Sequence, residues 1–318
     1  MNRSSPINSD RLKYLRRCQR KRKLSQKWNH GLSDLPDMDD CNENCTASVS
    51  SSQRLMNVEQ LDVERPIVPE LITSYNESKT FVKGNSVGCP MIQKWRDQFL
   101  GKGKRLEGNE WHVVDAARQG LIKVGKAEKC AKKVLDRINK EFNRIKGQSR
   151  GKIVMYCIRL YTRNVFVNRV VNRALCNEDE SYLEGLGPFC YLLTLHIYAP
   201  TTPAYNGTVY RGCSLESSAI EKYRQAIGQG PVKWLGFTST SKSSIVARYF
   251  SDNVIFKITL TNFSNRFQYG RPVDISHLSE MDQEDEDLLS PGIIFTVESI
   301  EENLDDGCTY IHIYAHGH

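Results

Sequence analysis

The chain has no CxxC pair, although it carries 10 cysteines in 318 residues. Without that spacing neither a zinc site nor a dense disulfide framework is written into it. It also lacks a long apolar run. The best, from Cys190 to Ala199, contains His196 and is about half the ~18–20 residues that span a bilayer. The N-terminus has basic residues with no apolar segment behind them, so no secretory leader is legible. The C-terminus, TYIHIYAHGH, is too short and polar for a lipid-anchor signal. These absences lead us to expect an intracellular chain, cytoplasmic or nuclear, with mostly reduced thiols. One pairing, Cys213 with Cys308, stays open.

Phosphate-binding loops are incomplete. The stretch GKGKRLEG (101–108) lacks the third glycine of a dinucleotide fingerprint and follows no clear strand. GQSRGKI (147–153) is one residue short of a P-loop, with Ile153 where a magnesium-binding hydroxyl is needed. Both read as turns. His316 and His318 could form a metal pair, but frayed terminal histidines explain them as well, and no metal is implied. No internal repeat is visible.

What is present is ordinary in amount and uneven in layout. Hydrophobic residues make up 39% and charged residues 25%, enough apolar material for one sizeable core. The net charge of +7 conceals blocks: +9 over residues 1–30, −6 over 31–65, +9 over 66–150 and −5 over 151–318. Residues 1–65 are rich in Ser, Asn, Asp and Arg without sustained periodicity, and read as a disordered tail, basic then acidic. Eight of the thirteen residues in 11–23, a run opening on Arg11 and closing on Lys23, are basic. That run suits weak contact with nucleic acid or an import receptor, or is simply a solvated tail. Residues 66–126 read as an uncertain helical or irregular segment broken by Pro and Gly.

A short helix is expected near 91–100. From Ala127 to Ile145 the apolar residues fall at helical spacing, with Lys and Arg on the other face. A further helical stretch begins near Lys152 and runs through TRNVFVNRVVNRALC. From Thr208 short β-rich runs alternate with short helices, and TYIHIY alternates with period two. An α+β fold follows, with helices gathered to one side of antiparallel strands.

Three segments of the last third combine charge and hydroxyls at strand ends. They are Val209-Tyr210-Arg211-Gly212, Phe237-Thr238-Ser239-Thr240-Ser241 and Glu284-Asp285-Glu286-Asp287-Leu288-Leu289. Singly each has a plain reading: a turn, a helix N-cap, a solvated acidic loop. As an ordered set they resemble the arginine–serine–glutamate class of mono-ADP-ribosyltransferases, which includes the vertebrate arginine-specific enzymes and the binary actin-modifying toxins. Ala247-Arg248-Tyr249-Phe250, the run from Asp274 to Ser279 and the Leu-Leu-Ser-Pro-Gly after the acids extend the resemblance. Upstream, Leu160-Tyr161-Thr162, the Asn-containing VNRVVNRAL and Gly187-Pro188-Phe189 are also similar. It covers about 152–314 and leaves residues 1–70 outside. Where the family often has Ile-Pro-Pro after the acids, this chain has Leu289-Ser290-Pro291.

The resemblance implies a split β-sandwich of two roughly perpendicular sheets with N-terminal helices, and a catalytic domain over 127–318. It implies NAD consumed as a substrate, transfer of ADP-ribose to an arginine-containing protein acceptor, and release of nicotinamide. By resemblance Glu286 stabilises the cation-like ribose, and Glu284 receives the acceptor guanidinium. Arg211 binds NAD phosphate or ribose oxygens, and Ser239 orients Glu286 or the cofactor. Gly212 would admit nicotinamide close to the backbone. Tyr161 and Phe250 would line the cofactor or serve as core. The segment 276–283 would meet the protein substrate. An NAD glycohydrolase with the same site, and a silent binding module carried by its basic tail, are the alternatives.

Overall fold

The computed structural model describes residues 81–84, 86, 88–101, 111–162, 166–199, 203–263, 271–278, 286–303 and 306–317. The basic run 11–23, most of the 101–108 stretch, His318 and Glu284 therefore lie outside the described residues.

The chain first builds helices: α1 (Pro90–Phe99), α2 (Trp111–Ala127), α3 (Lys132–Ile145), α4 (Arg150–Thr162), α5 (Phe166–Asn177) and α6 (Leu183–Ile197). The periodic stretch expected from Ala127 is in fact divided. Helix α2 closes at Ala127 with a Schellman turn, in which Lys129 N–H bonds Lys126 O and Cys130 N–H bonds Gly125 O. Lys129 takes the left-handed conformation that this turn demands, at φ +54°. Helix α3 then starts afresh and buries Val134, Leu135, Ile138 and Phe142 on one stripe. The same device ends α5, where Glu178 at φ +51° bonds Leu175 O and Asp179 N–H bonds Ala174 O.

The second half alternates β2 (Gly207–Cys213), α7 (Ser217–Ala226), β3 (Val232–Trp234), β4 (Thr238–Ser241), α8 (Ser244–Phe250), β5 (Val254–Thr261), β6 (Pro272–Asp274), β7 (Glu286–Leu289), β8 (Ile293–Asn303) and β9 (Cys308–His316). Before α1, β1 (Val82–Lys83) adds to β3. The result is α+β. Nine strands follow one hydrogen-bonded order, β1-β3-β8-β9-β5-β2-β4-β7-β6, antiparallel except for β5 with β9. Between β2 and β4 the ladder narrows to a single pair, Tyr210 opposite Ser241.

The described residues form two apolar cores. One joins the helices, from Trp95 and Val113 through Leu121 to Phe189, with Phe237, Val273, Ile275 and Leu288. Helices α1 and α2 thus belong to the same core as α4 to α6. The other core lies around β5 and β9, with Tyr223, Trp234, Phe256 and Leu289. Strand β7 is buried throughout. Its alternation sends Leu288 to the helical core and Leu289 to the sheet core, so β7 stands at the seam. The Cys190 to Ala199 run is accounted for here. It forms the C-terminal part of α6, and Cys190, Leu192, Leu193 and Ile197 are buried in the helical core. No helix of the described residues is long and apolar enough to cross a membrane. Cys213 and Cys308 are both buried free thiols, so that pairing is not made.

Candidate active site

The hydroxyl-rich run is a strand rather than a helix cap. Ser243 supplies the cap of α8, its Oγ accepting from Val246 N–H at 3.4 Å. On β4, Ser239 lies opposite Leu288 and Ser241 opposite Glu286. Directly opposed residues of an antiparallel pair point to the same face. Ser239, Ser241 and Glu286 therefore share one face of β4–β7. Ser239 sits diagonal to Glu286, a relation of roughly 7–8 Å between Cα atoms. Glu286 is buried at 6% exposure, and its carbonyl accepts from Ile275 N–H at 2.9 Å. Ser241 Oγ accepts from Ser243 N–H, and Thr240 Oγ1 donates to Asp287 O at 3.0 Å. The strand that presents Glu286 is thus held from both neighbours.

Arg211 comes from β2. Its Nη1 donates to Ser239 O at 3.0 Å, bridging the joint where the backbone ladder has only one pair. That bond uses one of five guanidinium donors. The side chain is half-buried, and its charge reaches the Cys176 thiol and the Tyr223 phenol. Burial pushes Cys176 up to about 11, with the Arg211 charge opposing. It is a neutral thiol at neutral pH.

Gly212 has a packing reason to be glycine. A Cβ there would lie 1.8 Å from Ala247 O and 2.8 Å from Ser251 N. Its missing side chain admits the backbone of α8 against β2, so the close approach is made by the protein itself. Tyr161 is 2% exposed and belongs to the helical core. Its hydroxyl donates to Phe237 O at 3.4 Å and accepts from Asn172 Nδ2 at 2.8 Å. Asn172 Oδ1 in turn accepts from Phe237 N–H at 3.0 Å. Both main-chain groups of Phe237, two residues before Ser239, are therefore fixed by α4 and α5. Phe250 ends α8, partly exposed, in edge contact with Tyr249 at 5.4 Å.

So Arg211 is bonded to the main chain of Ser239, and Ser239 shares a strand face with Glu286. Gly212 follows Arg211 on β2, Tyr161 belongs to the helical core and Phe250 ends α8. Three contributors escaped the sequence reading. Asn172 has a signal, a polar residue flanked by the apolar pairs Val170-Val171 and Ala174-Leu175 within VNRVVNRAL. Asp287 has one too, an acid inside a strand whose four residues are all buried. Lys242 closes the hydroxyl run and carries no pattern that marks it. Among the described residues no cluster of three or more His, Cys, Asp or Glu could hold a metal. His316 bonds Thr261 and Asn262 at the end of β9.

No protein-family model matches the chain, and no curated protein matches it. Among solved structures it is similar to the ADP-ribosyltransferase HopU1 of Pseudomonas syringae pv. tomato. Identity is 19%, coverage 66% of this chain and 98% of that one, and the TM-score 0.45. It is similar to the type III effector XopAI of Xanthomonas axonopodis pv. citri at 18% identity, covering 71% and 96%, with a TM-score of 0.47. Exoenzyme S from Pseudomonas aeruginosa, crystallised with human 14-3-3 protein beta and carba-NAD, matches at 17% identity over 64% and 88%, with a TM-score of 0.43. At these scores the likeness carries no activity over to this chain.

Proposed function

We propose that the chain transfers ADP-ribose from NAD to an arginine side chain of a protein acceptor and releases nicotinamide. The observation that carries this reading is the placement of a buried carboxylate, Glu286, on one strand face with Ser239. Arg211 is tied to that same serine across the β2–β4 joint.

The chemistry asks for such a set. Breaking the bond between nicotinamide and ribose leaves neutral nicotinamide and develops positive charge on the ribose ring, as in glycoside hydrolysis. A carboxylate held at that ring stabilises the charge as it forms, and Glu286 supplies it. Arg211 retains donors of its planar fork for phosphate or ribose oxygens. Ser239 can donate and accept at once, which suits a group that orients Glu286 or the cofactor. Glu284, two residues before Glu286 in sequence, would receive the acceptor guanidinium and take its proton as nitrogen attacks the ribose carbon. NAD is consumed in each turnover.

Incubation with labelled NAD and agmatine, a small guanidino acceptor, tests the reading. Transfer to agmatine that Glu286→Gln abolishes supports it. Release of free ADP-ribose without transfer would make the chain a glycohydrolase. No NAD consumption would leave a binding module.

A further inference from the structure

Strand β7 begins with two acids, and alternation sends their side chains to opposite faces. Glu286 faces Ser241. Asp287 faces Thr240 on β4 and Asp274 on β6. Asp287 is wholly buried, at 0% exposure. Two carboxylates directly opposed across a ladder repel one another, and a buried one needs a cation nearby. Lys242, the residue after β4, supplies it. Its Nζ lies 2.5 Å from Asp274 Oδ2 and 3.8 Å from Asp287 Oδ2, and 4.7 Å above the centre of the Tyr205 ring. One ammonium thus draws β4, β6 and β7 together, directly behind Glu286.

Two of these strands, β6 and β7, bound the connection from Ile275 to Glu286, the one that carries Glu284. Its neck is closed by Ile275 N–H bonding Glu286 O at 2.9 Å. Asp274 Oδ1 accepts from Ser276 N–H at 2.9 Å and from the Ser276 hydroxyl. Lys242 therefore grips the carboxylate that shapes the neck on one side and the buried acid next to Glu286 on the other. It makes no contact with Arg211 or Ser239.

We infer that Lys242, Asp274 and Asp287 form a charge lock. It positions Glu286 and the neck of the connection, and thereby sets how the ADP-ribosyl group divides between a guanidino acceptor and water. The inference rests on the role given to Glu286 above. Without the ammonium, Asp274 and Asp287 face each other unneutralised and the neck opens. Attack by an acceptor needs Glu284 and Glu286 in fixed relation, and a displacement of about 1 Å can cost 10²-fold in rate. Attack by water makes no such demand on Glu284.

The test compares wild type with Lys242→Met, Lys242→Arg and the double variant Lys242→Met/Asp287→Asn. It counts ADP-ribosyl-agmatine against free ADP-ribose, and follows amide exchange at Ile275 and at Phe256 of β5. In Lys242→Met the transfer-to-hydrolysis ratio should fall at least tenfold, with KM for NAD within twofold. Ile275 should exchange faster while Phe256 is unchanged. Lys242→Arg should restore the ratio, and the double variant should recover part of it because the uncompensated buried charge is gone. If Lys242→Met alone fails to fold, the double variant against Asp287→Asn carries the same comparison. A ratio unmoved in Lys242→Met overturns the lock, and so does exchange that quickens equally at both amides. A wild type inert toward NAD overturns the proposed function instead, and unchanged protection of Ile275 then overturns the lock on its own.

Discussion

At the residue scale the candidate site is held by side chains of the helical core. Asn172 is buried and accepts from Phe237 N–H while donating to Tyr161. Replacing it with alanine leaves a buried N–H without its acceptor, a loss of about 1–3 kcal/mol. Urea unfolding of Asn172→Ala should show a loss in that range. NAD turnover should fall as well, because Phe237 leads into the strand that holds Ser239. Tyr161→Phe removes the acceptor of Asn172 Nδ2 at 2.8 Å and the donor to Phe237 O at 3.4 Å, so it should destabilise as well. If Asn172→Ala were as stable as wild type, the Phe237 clamp would have no energetic content.

At the element scale the boundaries are set by backbone conformations rather than by apolar spacing. Lys129 occupies the left-handed position of a Schellman turn, where a side chain costs roughly 1 kcal/mol. Lys129→Gly should therefore raise stability by up to about 0.5 kcal/mol in chemical denaturation, once the roughly 0.5–1 kcal/mol of glycine's greater freedom when unfolded is taken off. A decrease would mean that the turn does not need that conformation. Gly212→Ala should act the other way. Its Cβ would meet Ala247 O at 1.8 Å, main chain that cannot step aside, so α8 must lift from β2. Overpacking of that kind costs about 1–3 kcal/mol. A thermal melt unchanged from wild type would refute the packing.

The same elements show what the sequence could and could not tell. The apolar stripe Val134, Leu135, Ile138 and Phe142 and the period-two run of β9 are legible because burial imposes them directly. Arg211, Ser239 and Glu286 stand in runs that the sequence itself sets apart, though only Glu286 begins its strand while Arg211 and Ser239 lie inside β2 and β4. The break at 128–131 is not, since neither Lys129 nor Glu178 is a residue that favours a positive φ. The reason for Gly212 is not legible either, because it lies in a helix 35 residues downstream. Nor is Lys242, whose partners are brought to it by strand order alone.

At the scale of the whole molecule, ion pairs at element junctions set the acid limit of the fold. Burial would raise the carboxyl of Asp274, but hydrogen bonds from Lys242 and Ser276 outweigh it and hold the group below 3.8. For Glu128 burial likewise opposes, and Arg173 and Tyr182 prevail. Arg118 keeps Asp115 low through a direct hydrogen bond. A carboxyl lowered in the folded state stabilises above its unfolded value, and that contribution is lost as pH falls through the folded value. Stability should therefore hold at pH 5–7 and drop below about pH 4. Both Asp274 and Lys242 are about one-third exposed, so solvent screening keeps each share small. The urea midpoint of Asp274→Asn should lie below wild type at pH 6, and the gap should close toward pH 3. A gap of constant size would show that Asp274 is not held low by its partners.

The direct trial of the account is turnover by purified chain with labelled NAD and agmatine, run beside Glu286→Gln and Glu284→Gln. Losing one preorganised stabiliser of a transition state commonly costs about 10²–10³ in rate. Glu286→Gln should therefore lose both transfer and NAD hydrolysis by at least 10²-fold. Glu284→Gln should lose transfer while still splitting NAD. Transfer that survives Glu286→Gln would contradict the role assigned to the buried carboxylate of β7.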